Sequence, residues 1–159
     1  MTGNMTEAQM LGGIWLAGWL FLLARADIRC GLLYDRYILV VAVSAAYPWE
    51  NGLVTAEDAL LGSALGSGFL MWLRLISRGG VGWGDVKLMA AVGLWIGWQA
   101  VIPALWLAFI LGGAVALALV VRSGAGMKTR MPFGPFLAAG SLWGYFCGSA
   151  GWQWYEALL

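Results

Sequence analysis

Histidine is absent from this 159-residue sequence, and only 11% of the residues are charged. The lack of histidine excludes imidazole as a general base and as a metal ligand. The two cysteines, Cys30 and Cys147, form no C-x-x-C pair that would indicate a zinc or redox site. Each is interpreted as a small buried apolar residue. We therefore expect neither a metal nor a cofactor.

The scarcity of charge accompanies an excess of apolar residues, which make up 62% of the sequence. Soluble domains carry roughly 25% charged residues, so this composition indicates a protein that lies in a bilayer. A spanning helix takes about 20 mostly apolar residues, which leaves room for about six spans. We predict an all-α, polytopic membrane protein with one transmembrane domain over residues 1–159. The net charge of +1 gives no indication of a nucleic-acid partner, and lipid is the expected surrounding.

The apolar runs also place the individual spans. Pro103 is expected in the first turn of the fifth span, and Pro48 is expected to kink or shorten the second. No Lys or Arg precedes the first run, so a first span is preferred to a signal peptide. The predicted spans are residues 7–26, 36–54, 57–76, 86–100, 102–121 and 133–155.

The charged residues separate cleanly when six spans are assumed. All nine basic residues fall in connections on one face, which the positive-inside rule assigns to the cytoplasm. Both termini then lie outside the cytoplasm. Asp27, Asp35 and Asp85 lie on the basic face, near the ends of spans, whereas the other five acids lie opposite. The basic residues are Arg25, Arg29, Arg36, Arg74, Arg78, Lys87, Arg122, Lys128 and Arg130.

The segment Gly82-Trp83-Gly84-Asp85 interrupts the apolar sequence between the third and fourth spans. Two glycines around one residue permit backbone angles that a side chain forbids, and they let another backbone approach closely. A peptide substrate has such a backbone. The simpler interpretations are an N-cap for Asp85 and, for Asp27, an ion pair with Arg25 or Arg29.

Without histidine or an obvious nucleophile, the peptide chemistry left to this chain is that of two carboxylates. Two carboxylates a few ångströms apart cannot both ionise, so the pair shares one proton. The ionised member takes a proton from an attacking water, and the protonated member hydrogen-bonds the carbonyl oxygen of the substrate. We expect Asp85 to be one member of such a pair.

Three segments resemble motifs of the type IV prepilin peptidases, the bacterial members of the GxGD membrane aspartyl peptidases. Gly82-x-Gly84-Asp85-x-Lys87-Leu88 is similar to the family's second signature. Asp27, followed by Leu33-Tyr34-Asp35, is similar to the first, an aspartate a few residues before Leu-Pro-Asp. The run Met-Pro-Phe-Gly-Pro-Phe at residues 131–136 is similar to a third segment that opens the last span.

The resemblance implies cleavage of the basic leader of a prepilin or pseudopilin, in a type IV pilus or type II secretion system, at the cytoplasmic face of the bacterial inner membrane. It implies Asp27 and Asp85 as the catalytic pair. Asp35 is the second choice for the partner of Asp85, because Tyr34 replaces the family's proline and Tyr-Asp is also similar to the presenilin-type proteases. The candidates for accessory or substrate-orienting roles are Asp35, Lys87, Gly82 and Gly84.

Other interpretations remain open. Family members that also N-methylate the new terminus have a loop with paired C-x-x-C motifs, which this sequence lacks, so we expect a peptidase without methyltransferase activity. The main alternative is a small proton- or cation-coupled transporter that uses the same aspartates. It predicts carboxylates near mid-membrane and a repeat between the two halves, and neither is evident. A purely structural subunit of a secretion complex would leave the glycine-flanked Asp85 unexplained.

Overall fold

A computed structural model describes the backbone of residues 2–123 and 132–156 and the side chains of residues 6–122 and 132–148. Lys128, Arg130 and Met131 lie outside the described residues. Within the described ranges the chain is helical and has no β-strand, as expected for an all-α protein. The helices are α1 (Thr2–Cys30), α2 (Asp35–Ser44), α3 (Ala46–Glu50), α4 (Ala56–Ile76), α5 (Trp83–Ser123) and α6 (Gly134–Glu156).

Three stretches of helix in the described part of the chain are long and apolar enough to cross a membrane: Thr6–Cys30, Ala56–Ile76 and Trp83–Arg122. The protein is therefore a helical membrane protein. These three stretches do not confirm the predicted count of about six spans. The third of them is unusually long, because the 41 residues of α5 would measure about 60 Å if straight, twice the hydrocarbon thickness of about 30 Å.

α5 folds back on itself at Gly97, the one residue inside it with non-helical backbone angles (φ 72°, ψ 170°). A Cβ placed on Gly66 of α4 would lie 2.9 Å from Met89 and 3.1 Å from Val101. In a straight helix, residues 89 and 101 would be about 18 Å apart along the axis. The segments 83–96 and 98–123 therefore run side by side against α4.

The predicted boundary between the fourth and fifth spans, near residue 101, is wrong. The chain is helical there, and Pro103 lies inside the helix rather than in its first turn. The break falls at Gly97 because a positive φ costs glycine little. This region is apolar on every side, so its hydrophobic pattern gives no sign of where the helix breaks.

The predicted second span, 36–54, consists of two short helices. α2 ends at Ser44 and α3 begins at Ala46. Pro48 accounts for the interruption, because a proline ring clashes with the carbonyl four residues earlier, which is that of Ser44. The expected shortening by Pro48 is therefore confirmed.

Glycines allow α5 to pack closely against its neighbours α4 and α6. A Cβ placed on Gly93 would lie 2.5 Å from backbone atoms of Gly62 in α4. A Cβ on Gly140 of α6 would overlap the carbonyl oxygen of Ala104 in the second segment of α5. Small residues at such positions let helix backbones approach each other in lipid.

The interior is apolar, and so is much of the surface. Trp95 is fully buried, and its Nε1 donates a hydrogen bond of 2.7 Å to the carbonyl oxygen of Val41. One face of α1 is buried and its opposite face is exposed but equally apolar, which suits contact with lipid. The buried residues of α1 include Leu16, Leu20 and Leu23, and the exposed ones include Leu11, Ile14 and Phe21.

One end of the helix bundle gathers five helix termini. Helices α1 and α4 end there, and helices α2, α5 and α6 begin there. Leu33, in the connection after α1, contacts the first turn of α5 at Gly84. Asp27, in the last turn of α1, contacts Gly134 at the start of α6. The site residues predicted from the sequence all lie at this end.

Candidate active site

The turn before α5 holds the carboxylate of Asp85 against the backbone. Gly82 precedes the first residue of α5, and its amide donates a hydrogen bond of 3.2 Å to Asp85 Oδ2. Asp85 is thus not the N-cap residue. It is the third residue of the helix, from which an acidic side chain reaches back to the N-cap amide in a capping box. A Cβ on Gly82 would lie 3.0 Å from the same oxygen, so glycine makes room for this contact.

Gly84 brings the connection after α1 up to the start of α5. A Cβ on Gly84 would lie 2.8 Å from Leu33 Cβ and 3.0 Å from Leu33 Cδ1. A larger residue at position 84 would push the two segments apart. The two glycines therefore have different contacts, since Gly82 faces the carboxylate of Asp85 and Gly84 faces the neighbouring segment.

Asp27 lies in the last turn of α1, in contact with the beginning of α6. The backbone amide of Gly134 donates a buried hydrogen bond of 2.8 Å to Asp27 Oδ2. Only 7% of the surface of Asp27 is exposed, the same fraction as for Asp85. The described core contains three buried polar or charged residues, which are Asp27, Asp85 and Ser141.

The two buried carboxylates share one cavity. It has a volume of about 590 Å³, and Asp27 and Asp85 both line it. The cavity opens between the connection after α1 and the turn before α5. It brings together every site residue predicted from the sequence, namely Asp27, Asp35, Gly82, Gly84, Asp85 and Lys87.

Asp35 has a different environment from Asp27. It is the first residue of α2, and its Oδ2 lies 2.7 Å from Nζ of Lys87. Both side chains of this ion pair are substantially exposed, 71% for Asp35 and 49% for Lys87. Asp27 is buried beside Asp85, whereas Asp35 pairs with a lysine at the rim of the cavity. The two candidate partners of Asp85 thus differ in burial and in charge environment.

The chemistry open to this arrangement is that of a pair of carboxylates. Among the described residues, no three His, Cys, Asp or Glu side chains are grouped as they would be to hold a metal ion. Each carboxylate accepts one backbone hydrogen bond at Oδ2, and within the described ranges neither Oδ1 accepts one. The pair can therefore exchange protons with a water or with a substrate through the Oδ1 atoms.

Comparison with known proteins places this site in a family. A model described as the type IV leader peptidase family matches residues 14–117, which include Asp27, Asp35 and Asp85. The chain belongs to this family. The resemblance inferred from the three sequence motifs is thereby confirmed.

Individual relatives within the type IV leader peptidase family agree. The prepilin leader peptidase/N-methyltransferase of Burkholderia pseudomallei (strain 1026b) is 34% identical over 146 residues, which cover 87% of this chain and 47% of the relative. The protein with the same description from Escherichia coli (strain K12) is 36% identical over 126 residues, 73% of this chain and 54% of the relative. The one from Bacillus subtilis (strain 168) is 31% identical over 132 residues, which cover 82% of this chain and 53% of the relative. The chain spans about half the length of these relatives. No solved structure matches it.

Two residues of the site were not singled out from the sequence. Gly134 appeared there only within a motif, although its amide contacts Asp27. Arg74 was counted only as a basic residue, but its guanidinium donates to the carbonyl oxygen of Val81 and lies 4.8 Å from the centre of the Trp83 ring. It therefore holds the turn on both sides of Gly82. A basic residue in the last turn of α4, directly before a glycine-rich turn, was the available signal.

Proposed function

We propose that this protein is a membrane aspartyl endopeptidase that removes the basic leader of type IV prepilins or pseudopilins. The observation that carries the proposal is the pair of carboxylates, Asp27 and Asp85, each 7% exposed, in one cavity of a leader peptidase family member. Burying a carboxylate is costly, and two in one cavity are expected where they serve a reaction. The printed names of the relatives support prepilins as the substrate class.

In the proposed mechanism Asp27 and Asp85 share one proton and hold a water between them. The ionised carboxylate takes a proton from the water as the water oxygen attacks the carbonyl carbon of the scissile peptide bond. The protonated carboxyl hydrogen-bonds the carbonyl oxygen. The C–N bond then breaks as the carboxyl that took the proton from the water passes it to the leaving nitrogen. The products are a leader with a new carboxylate and a mature protein with a new N-terminal amine.

The rest of the cavity suits an extended peptide. Gly82 keeps a side chain away from the edge beside Asp85, so a substrate backbone has room to approach. Asp35 and Lys87 form the exposed rim, and we assign them a role in orienting the substrate. Leu32 and Trp83 are exposed at the same cavity and offer an apolar surface for the hydrophobic stretch that follows the leader.

We propose six passes through the bilayer. The fold-back of α5 at Gly97 supplies two of them, α2 with α3 supplies one, and α1, α4 and α6 supply the others. The end of the bundle that carries the cavity is then the cytoplasmic one of the bacterial inner membrane, and both termini lie outside the cytoplasm. The positive-inside rule supports this orientation, because the described basic residues lie near that end: Arg25, Arg29, Arg36, Arg74, Arg78, Lys87 and Arg122.

We also propose that these 159 residues carry leader cleavage and not N-methylation. The relatives are named for both activities. The two cysteines of this chain, Cys30 and Cys147, form no C-x-x-C pair. The transporter alternative has no observation in its favour, since Asp27 and Asp85 lie at one end of the bundle and the matched relatives are named as peptidases.

The test is leader removal by the protein alone. The chain is co-expressed with a prepilin in cells that have no other leader peptidase, and processing is followed by the shift of the prepilin on a gel. We expect processing by the unmodified chain and none by Asp27→Asn or Asp85→Asn, both of which keep the size of the side chain. Glu57→Gln, an exposed residue at the start of α4, is the matched control and should process normally. Full processing by Asp85→Asn would end the proposal.

A further inference from the structure

The start of α6 is joined to the site by Asp27. Gly134 is the first residue of α6, and its amide is 2.8 Å from Asp27 Oδ2. The first amides of a helix have no partner within the helix, so a carboxylate that accepts from one of them satisfies a donor that would otherwise be unpaired. Among the described residues, this is the one hydrogen bond that the carboxylate of Asp27 makes.

Position 134 has no room for a side chain. A Cβ there would lie 2.7 Å from Asp27 Oδ2, 3.1 Å from Cγ and 3.2 Å from Cβ. Real Cβ atoms do not approach other atoms as closely as the first of these distances. Any other residue would therefore displace the carboxylate, although its own amide would remain.

The residue before Gly134 fixes the start of α6 against α5. The Phe133 ring packs over Gly112, where a Cβ would lie 2.9 Å from it, and its centre is 5.1 Å from that of Phe109. The carbonyl oxygen of Phe133 accepts a hydrogen bond of 3.2 Å from the amide of Leu137. The Gly134 amide is thus held in place on both sides, by the helix that follows it and by the ring that precedes it.

We infer that Gly134 is a positioning residue, which fixes the direction of the Asp27 carboxylate so that its Oδ1 faces the shared cavity. The inference rests on the proposed function, because it concerns how Asp27 is held for catalysis. A carboxylate with two free side-chain torsions samples many directions, and a rigid donor selects one in advance. Residues 132–136 lie outside the part of the chain that the family model matches, residues 14–117.

The first test compares three glycine-to-alanine variants of the full chain. Gly134→Ala should lower kcat for leader removal by about ten- to hundredfold with an unchanged KM, since a displacement of about 1 Å has effects of this size. Gly68→Ala, in α4 with open space around it, should behave as the unmodified protein. Gly140→Ala, which clashes with the Ala104 backbone, should lower the unfolding temperature in detergent. An unchanged kcat in Gly134→Ala would overturn the inference.

The second test needs no activity and remains valid if the proposed function fails. The unfolding temperature is measured for Gly134→Ala, Asp27→Ala and the double variant. Asp27→Ala removes the two nearest atoms, so Gly134→Ala should lower the unfolding temperature by less than half as much in that background. Equal losses in both backgrounds would refute the contact. If Gly134→Ala does not fold, recovery in the double variant supports the inference and continued failure to fold overturns it. Normal cleavage by Asp27→Asn would instead reject the proposed function.

Discussion

Replacing Asp35 by asparagine should leave at least a substantial part of the activity, whereas the same change at Asp27 should remove it. Asp35 Oδ2 is 2.7 Å from Lys87 Nζ, but the two side chains are 71% and 49% exposed. Exposed ion pairs contribute about 0.2–1 kcal/mol, and 1 kcal/mol corresponds to about a fivefold change in rate. We therefore expect Asp35→Asn to lower kcat/KM by about fivefold at most.

The assay is the initial rate of leader removal by the purified protein in lipid vesicles, with a prepilin as substrate. A double-mutant cycle is made from Asp35→Asn, Lys87→Met and the variant with both changes. The losses of activity in the two single variants should not add, since either change removes the same ion pair. The loss caused by Asp35→Asn should shrink as the salt concentration rises, because salt screens exposed charges. Glu57→Gln supplies the control for losing one exposed carboxylate far from the cavity.

One result would refute this reasoning. If folded Asp35→Asn is as inactive as Asp85→Asn while Asp27→Asn remains active, the pair consists of Asp35 and Asp85. The buried position of Asp27 would then have a structural purpose, and the ion pair between Asp35 and Lys87 would have to open during catalysis. The unfolding temperature of each variant, measured in one detergent for all of them, shows whether the variant is folded.

Two further predictions concern the surroundings of the cavity. Arg74→Met should lower the cleavage rate by about tenfold, because hydrogen bonds to charged groups contribute about 1.5–3 kcal/mol and the bond from Arg74 holds the turn before Asp85. Arg74→Lys should not restore the rate, since lysine lacks the planar fork of arginine. Normal rates in either variant would contradict the role of Arg74. Gly93→Ala should destabilise the protein by about 1–3 kcal/mol, because its Cβ would meet the Gly62 backbone at 2.5 Å. Thermal unfolding beside the Gly68→Ala control measures this, and an unchanged unfolding temperature would contradict the close packing of α4 and α5.

Local features of the sequence anticipated much of this molecule. The apolar runs predicted helices, and threonine is a common N-cap residue, as Thr55 is for α4, where its Oγ1 accepts a hydrogen bond from the amide of Asp58. Pro48 marked the interruption between α2 and α3 because proline acts on the carbonyl four residues before it. The sequence motifs also named six of the residues that line the cavity as candidates, three of which, Gly82, Gly84 and Asp85, lie within one short turn.

Features that depend on contacts between residues far apart in the sequence could not be predicted. The break in α5 lies at Gly97, where a Cβ would be 3.2 Å from Val54 and 3.4 Å from Asp58, and no local pattern reports such neighbours. The different burial of Asp27 and Asp35 could not be predicted, because burial depends on the arrangement of several helices. The contact between Asp27 and Gly134 joins positions 107 residues apart.

That long separation affects how the protein is made. Asp27 leaves the ribosome early, but the amide that orients it belongs to the last helix of the described chain. Until this helix enters the bilayer, the carboxylate of Asp27 lacks the hydrogen bond from Gly134. We therefore expect the proposed hydrolase to reach full activity only once its last described helix has been inserted.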